Sequence, residues 1–477
     1  MIDILISGGT VVTMDPSRQV IEDGAVAIEG GRILEVGRTD ELLARYTAAR
    51  TIDARRQVVL PGLIDGHCHA GHPLTKSLGG DDTDQWHRAI ERIYAQESSE
   101  EFWHADALLS SVERLKGGTT TSLVYLGGGD RVIRTDDVRY GDLHCEAVRD
   151  VGVREFLAVG PNTPPFPHRY VQWDGHERRE VMVGFERQML VSEALIQKWH
   201  NKAEGRIRIC MASPVIEPDK VPDRSELDSM CRQVQDVCDL SRRYSVLYAQ
   251  DSHTRGTVEF AYNELGVLGP DALLAHATNL TPHEIEICRA TDSRVVHNPT
   301  AIAAIVRRCP VPELLDAGVT VMLGSDGNGP DRGFDMFRHM FYCMRYHRTS
   351  YHDPRVMPPG KVLEMVTVDA ARALGLEKEI GSLEAGKQAD VILVDMYKPH
   401  LYPFHMPVHR LLYFAFGSDV DTVIVQGKVV MEGREVKTVD ESEVLERAQR
   451  AADEAMAAGG FAPLLEIPEG FWGRSRY

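Results

Sequence analysis

Apolar and polar positions alternate in two different rhythms along this chain. The first stretch, DILISGGTVVTMDPSRQVIEDGAVAIEGGRILEVG, switches residue by residue and is punctuated by Gly and Asp-Pro, the pattern of short β-strands joined by turns. The same style returns late in GSLEAGKQADVILVD and VDTVIVQGKVVMEGREV, and ILISGGTVVTMD and VIVQGKVVMEG share a strand–Gly–strand layout. These two β segments predict one small sandwich, residues 1–57 with 373–440, into which the middle of the chain is inserted.

Residues 58–372 read differently. Short apolar runs without strict alternation (VVLPGLIDGHCH, TTTSLVYL, VREFLAVG, IRICMASP, SVLYAQ, ALLAHA, SRVVHNP and VTVMLGSDG) are each followed by a helical stretch. Such runs suit strands buried on both faces of a parallel sheet. Eight of them predict an α/β fold, a (β/α)8 TIM-type barrel carrying its chemistry at the C-terminal strand ends. Residues 441–477 form an amphipathic helix, SEVLERAQRAADEAMAAG, and an irregular aromatic tail, expected to pack on a neighbouring surface or across an oligomer interface.

Composition narrows the function classes. A formal charge of −18 over 477 residues argues against binding a nucleic-acid backbone. No run approaches the ~20 apolar residues of a membrane span. The N-terminus lacks the basic-then-apolar layout of an export signal, and the eight cysteines form no CxxC pair. The expected setting is cytoplasmic, with reduced thiols and a small-molecule substrate.

The strand ends carry the chemistry. His67 and His69, two apart on an extended segment, point to the same side and can share a divalent cation at about 2.0–2.2 Å; two polar turn residues are the plainer alternative. His276 ends one apolar run, His297 and Asn298 end the next, and Asp326 follows a run too apolar for a solvated face. A lone histidine so placed is more often a hydrogen-bonded core residue, but several at successive strand ends point to a site. Asp326 is suited to bind metal, to take a proton from metal-activated water, or both.

On PGLIDGHCH, LLAHATNLT, VVHNPT, PVPELLDAGVTVMLGSDG, GSLEAGKQADVILVD and VIVQGKVV the chain resembles the amidohydrolase superfamily, within it the cytosine/guanine deaminase and triazine hydrolase branch, over nearly its whole length. The resemblance implies one divalent metal ion per chain, zinc first, with iron, cobalt or manganese as the other candidates. His67, His69, His276 and Asp326 match the metal-site positions, with His276 binding or orienting the attacking water. IRICMASP lacks the lysine of the dinuclear branches. Relatives of this type are commonly dimers or tetramers, so a homo-oligomer is expected.

The fifth strand departs from that pattern. Where a histidine ligand, two residues and a proton-shuttling glutamate are expected, YSVLYAQDSHTRGTVE places Gln250 and His253; a register shifted by two would place Tyr248 and Asp251 instead. The first register needs no gap before the following helix. It makes His253 a metal ligand or a general acid/base, and Gln250 a poor metal ligand or a substrate-binding residue. It also favours hydrolysis of an amide, urea or carbamate C–N bond in a small neutral or aromatic molecule. The alternatives are a deaminase or dechlorinase for a nitrogen heterocycle (purine, pyrimidine, pterin or s-triazine) and a non-catalytic assembly protein. His72, His297, Asn298, His168 and Trp173 complete the candidate substrate contacts. The last two lie in a long Pro- and aromatic-rich insertion, Asn162 to Glu180, that reads as a lid or as a plain surface loop.

Overall fold

The computed structural model describes residues 1–80, 82–128, 132–174, 177–305, 307–467, 470–473 and 475. Residues 175–176 of the long insertion, and 468–469, 474 and 476–477 of the tail, therefore lie outside the described residues.

Each of the eight apolar runs forms a strand. In chain order they are Leu63–His69, Thr119–Tyr125, Arg154–Val159, Ile207–Ser213, Tyr248–Gln250, Ala272–Ala275, Arg294–His297 and Val321–Leu323. Consecutive strands pair in parallel to make one eight-stranded sheet. Their uninterrupted apolar character follows from burial on both faces, by barrel-interior residues such as Met322 and by the surrounding helices.

The first and eighth strands do not pair along their lower halves. There, Ile64 N–H donates to the Val366 carbonyl (2.9 Å) and Leu323 N–H to the Met365 carbonyl (3.1 Å), so a segment after the last strand fills the seam. Above it, Asp326 N–H donates directly to the His67 carbonyl (2.8 Å) and closes the barrel at the C-terminal ends of its strands.

Strands from the two chain ends join in one hydrogen-bonded sheet of nine strands. Gln57–Pro61 lies at its centre, parallel to Ile2–Val12 and antiparallel to Val391–Asp395, so the composite sheet reaches past residue 57 to the first barrel strand. Its own apolar core includes Ile6, Val26, Ile28, Val391 and Ile424. The helix Glu441–Gly459 packs within the chain against Glu100–Lys116, burying Ala448, Ala451 and Ala455. Arg447 pairs with Glu101 at 2.8 Å along that contact. Among the described residues, no helix is long and apolar enough to cross a membrane.

Candidate metal centre and active site

His67 and His69 end the first barrel strand, both buried, with rings perpendicular and centroids 4.8 Å apart. The Nδ1–H of His69 donates to the Gly127 carbonyl (3.0 Å), a bond that leaves its Nε2 lone pair facing the barrel axis. Beneath them, buried Asp65 accepts hydrogen bonds from Ser325 N–H (2.9 Å) and Ser325 Oγ (2.5 Å), which pins the first strand to the residue preceding Asp326. Burial pushes the Asp65 carboxyl up to about 6, against the lowering effect of those bonds.

Three imidazoles and two carboxylates converge on one point. Asp326 Oδ1 lies 3.2 Å from His69 Nε2 and 3.8 Å from His67 Nε2, and its Oδ2 is 3.7 Å from His276 Nε2. The second carboxylate is Asp251: Oδ1 is 3.1 Å from His276 Nε2 and 3.5 Å from His67 Nε2, and Oδ2 is 3.6 Å from His69 Nε2. Most of these separations exceed a hydrogen bond, and the buried His67 Nε2 has no hydrogen-bond partner among the described residues. One donor atom each from His67, His69 and Asp251, and likewise from His67, His276 and Asp326, lie within 4.8 Å of one another, so the set fits a divalent cation.

The charges agree with that fit. Burial holds His67 down to about 4, a neutral ligand. Burial would raise both aspartates, but His67, His276 and His69 around Asp251, and Arg332 with His69 and His276 around Asp326, hold both carboxyls below their usual range. His69 and His276, lowered by burial, are carried above their ordinary value by these two acids.

The backbone is bent to present these groups. His276 and Asp326 adopt positive φ (65° and 64°), as does Ser252 (71°) beside Asp251. Side chains other than glycine rarely take this conformation, and such outliers gather at functional sites.

At the fifth strand the structure separates the residues that the sequence grouped. Gln250 turns away from the barrel axis: its Nε2 donates to the Pro214 carbonyl (2.9 Å) and to Ser213 Oγ (3.2 Å), leaving Oε1 to accept from His253 Nε2–H (3.2 Å). The other ring nitrogen of His253 lies 2.9 Å from the Thr257 hydroxyl, and burial lowers this imidazole to about 3. Tyr248 stays in the strand with its hydroxyl on Ser213. The residue that enters the cluster is Asp251, which neither sequence register places as a ligand. Ser252, the next residue, takes a left-handed backbone conformation without being a glycine.

A cavity of about 490 Å³ opens above the cluster, with His69, Asp251, His276 and Asp326 in its floor and His72, Trp86 and His253 in its walls. His72 stacks on His69 (centroids 4.9 Å), and neither of its buried nitrogens has a hydrogen-bond partner among the described residues. Asn298 is buried with Nδ2 3.3 Å from His276 Nε2. His297 points the other way, under the helix Met336–Tyr351, with its Nε2 3.2 Å from His347 Nε2, and it does not line the cavity. The insertion folds into a hairpin, His168–Asp174 with Glu177–Val183. His168 bonds the Thr163 carbonyl (2.9 Å), Trp173 stacks under Arg178, and neither lines the cavity. The substrate contacts assigned to Gln250, His297, His168 and Trp173 thus fall away from this site, because their side chains are engaged elsewhere.

A barrel whose strand ends gather histidines and aspartates round one point, beneath a solvent-connected cavity, defines a metal-dependent hydrolase. The sequence profile of the amidohydrolase family matches residues 58–215 and 242–430, and that of a bacterial imidazolonepropionase-like composite domain matches residues 24–49; the chain belongs to the amidohydrolase family. It acts as a hydrolase on carbon–nitrogen bonds other than peptide bonds. It is 31% identical over 453 residues to a 5-methylthioadenosine/S-adenosylhomocysteine deaminase of Syntrophobacter fumaroxidans, covering 94% of this chain and 98% of that one. Its fold matches a zinc-bound adenosine deaminase from Xanthomonas campestris (TM-score 0.81, 23% identity, 96% of this chain and 99% of that one). It also matches a zinc-bound atrazine chlorohydrolase from Arthrobacter aurescens (TM-score 0.76, 22% identity, 94% and 100%).

Proposed function

We propose that the protein is an aminohydrolase that removes an amino group from a nitrogen heterocycle of nucleoside size. The observation that carries this reading is the convergence of His67, His69, Asp251, His276 and Asp326 beneath a cavity of about 490 Å³, a volume suited to a small organic ligand. The similarity to a deaminase of modified adenosines supports the heterocycle over the amide, urea or carbamate favoured by sequence alone.

His67, His69, Asp251 and Asp326 would hold one divalent cation, zinc first. When bound, that ion lowers the pKa of water enough for attack near neutral pH. Asp326 takes the proton of the attacking water; Gly327 N–H, donating to its Oδ1 at 2.7 Å, orients that carboxylate. His276, whose Nε2 stands 3.1 Å from Asp251 Oδ1, donates to the oxygen developing at the attacked carbon. His253, on the cavity wall, has both ring nitrogens held by Gln250 and Thr257 and is kept neutral by burial, so the proton for the departing amine comes from Asp326, which took it from the attacking water.

One observation favours a second reading, acyl C–N hydrolysis. The proton-shuttling glutamate of the family pattern is His253 here, so protonation of a ring nitrogen has no carboxylic acid behind it. Product analysis separates the two: ammonia with an intact ring supports the aminohydrolase, whereas an amine plus carboxylate or carbonate overturns it.

All eight cysteines are free thiols, which supports a cytoplasmic setting. A homo-oligomer, dimer or tetramer, completes the proposal; light scattering of the purified protein tests it, and a monomer at working concentration would refute it.

A further inference from the structure

A second cluster of metal-binding residue types lies outside the catalytic cavity, on the outer face of the seventh barrel strand. His297 ends that strand, and Cys343 and His347 stand four apart on the helix Met336–Tyr351, hence on one helical face. All three are fully buried. One donor atom from each, imidazole nitrogen or thiol sulfur, lies within 4.8 Å of the other two.

The spacing is close to what a shared ion requires. His297 Nε2 and His347 Nε2 are 3.2 Å apart. Two nitrogens bound tetrahedrally at about 2.0–2.1 Å stand roughly 3.3 Å from each other. A hydrogen bond between the imidazoles accounts for that one distance but leaves more unexplained. The Nδ1 atoms of both rings are buried without a partner among the described residues, and the Cys343 thiol lies within 4.8 Å of a nitrogen of each ring.

We propose that His297, Cys343 and His347 form a second, structural metal site for a borderline-soft divalent ion, Zn2+ being the natural occupant. Two neutral imidazoles and a thiolate make a donor set suited to zinc rather than to magnesium or calcium. Binding deprotonates Cys343, and the proton is released to solvent. Because the pocket is closed, the ion enters as the chain folds and staples the seventh strand to its covering helix.

The catalytic cluster contains only nitrogen and oxygen donors, so sulfur ligation reports the second site alone. The test is to express the full chain in cobalt-supplemented medium and to measure metal content and near-ultraviolet thiolate-to-cobalt charge transfer. The expected result is that band, with one more metal per chain in the wild type than in Cys343→Ala. In that variant the band is lost while turnover persists. His347→Asn, which keeps the thiol, is expected to lose the band too. Absence of the band in wild-type protein, or equal metal content in wild type and both variants, would overturn the proposal. Loss of the catalytic metal would instead show in turnover, with the charge-transfer band intact.

Discussion

Asp251 Oδ1 lies 3.1 Å from His276 Nε2, the shortest carboxylate–imidazole approach in the catalytic cluster. The same carboxylate reaches His67 and His69 with near-equal separations of 3.5 and 3.6 Å. That central position gives Asp251 the place of a ligand rather than of a peripheral proton carrier. Asp251→Ala is therefore expected to lose bound metal as well as activity. Its loss of metal affinity should exceed the roughly 10- to 100-fold typical of residues one shell further out. Elemental analysis after dialysis checks it; full metal content in the variant would leave Asp251 only a proton-transfer role.

His72 owes its place to a glycine. A Cβ on Gly327 would stand 1.5 Å from His72 Nδ1, so Gly327→Ala must displace the ring from the cavity wall. The expected outcome is a changed KM and reduced kcat with metal content intact. Kinetics compared with metal analysis of the same preparation would show it, and wild-type kinetics would mean that His72 does not shape the substrate site.

Asp106 supplies a pH dependence away from the metal ligands. It is buried on the helix Glu100–Lys116 and accepts the Gly71 N–H at 2.7 Å. Burial raises its carboxyl from 3.8 to about 7, with the Gly71 bond acting in the opposite sense. Between those values the folded state holds a proton that the unfolded state has released. Its contribution to stability is thus complete below pH 3.8 and is lost as the pH rises to about 7. Across that window the slope is at most about 1.4 kcal/mol per pH unit. Asp106→Asn should flatten this part of the profile, measured by denaturant unfolding at several pH values.

The barrel is tied to the composite sheet by a buried ion pair. Arg154 and Asp390 are almost wholly excluded from solvent and approach to 3.3 Å, and Asp390 also accepts the Gln426 N–H at 2.8 Å. Arg154→Ala would strand that carboxylate and is expected to cost about 3–5 kcal/mol. Calorimetry reads the loss, and turnover of the remaining folded protein should be little changed.

Much of the architecture was legible before the structure. The eight apolar runs read as buried strands because parallel strands have no polar face to alternate with, and HCH at the first strand end declared two imidazoles on one side. Asp251 was not legible in the same way. The strand ends at Gln250, whose side chain is taken up by Ser213 and Pro214, and the residue types do not signal that the next side chain, Asp251, is the one that joins the cluster. Nor could periodicity show that His297 faces outward while Asn298 reaches His276; at the end of a strand, alternation gives two faces without saying which is the interior. The insertion's aromatic content suggested a ligand lid, yet Tyr170 is a core residue whose hydroxyl donates to the Ile133 carbonyl at 2.8 Å.

The filled seam between the first and eighth strands bears on how this molecule can be dissected. The strands carrying His67, His69 and Asp326 rely for their lower halves on Met365 and Val366. Gly62 N–H, at the foot of the first strand, relies on the Asp390 carbonyl, 3.0 Å away in the partner domain. A barrel excised at residues 58–372 would keep the seam of Met365 and Val366 and every residue of the reactive centre, but would lose the Asp390 carbonyl that holds the foot of the strand carrying His67 and His69. The catalytic unit is therefore the barrel together with its composite sheet, and domain-swapped chimeras among relatives would need to exchange both together.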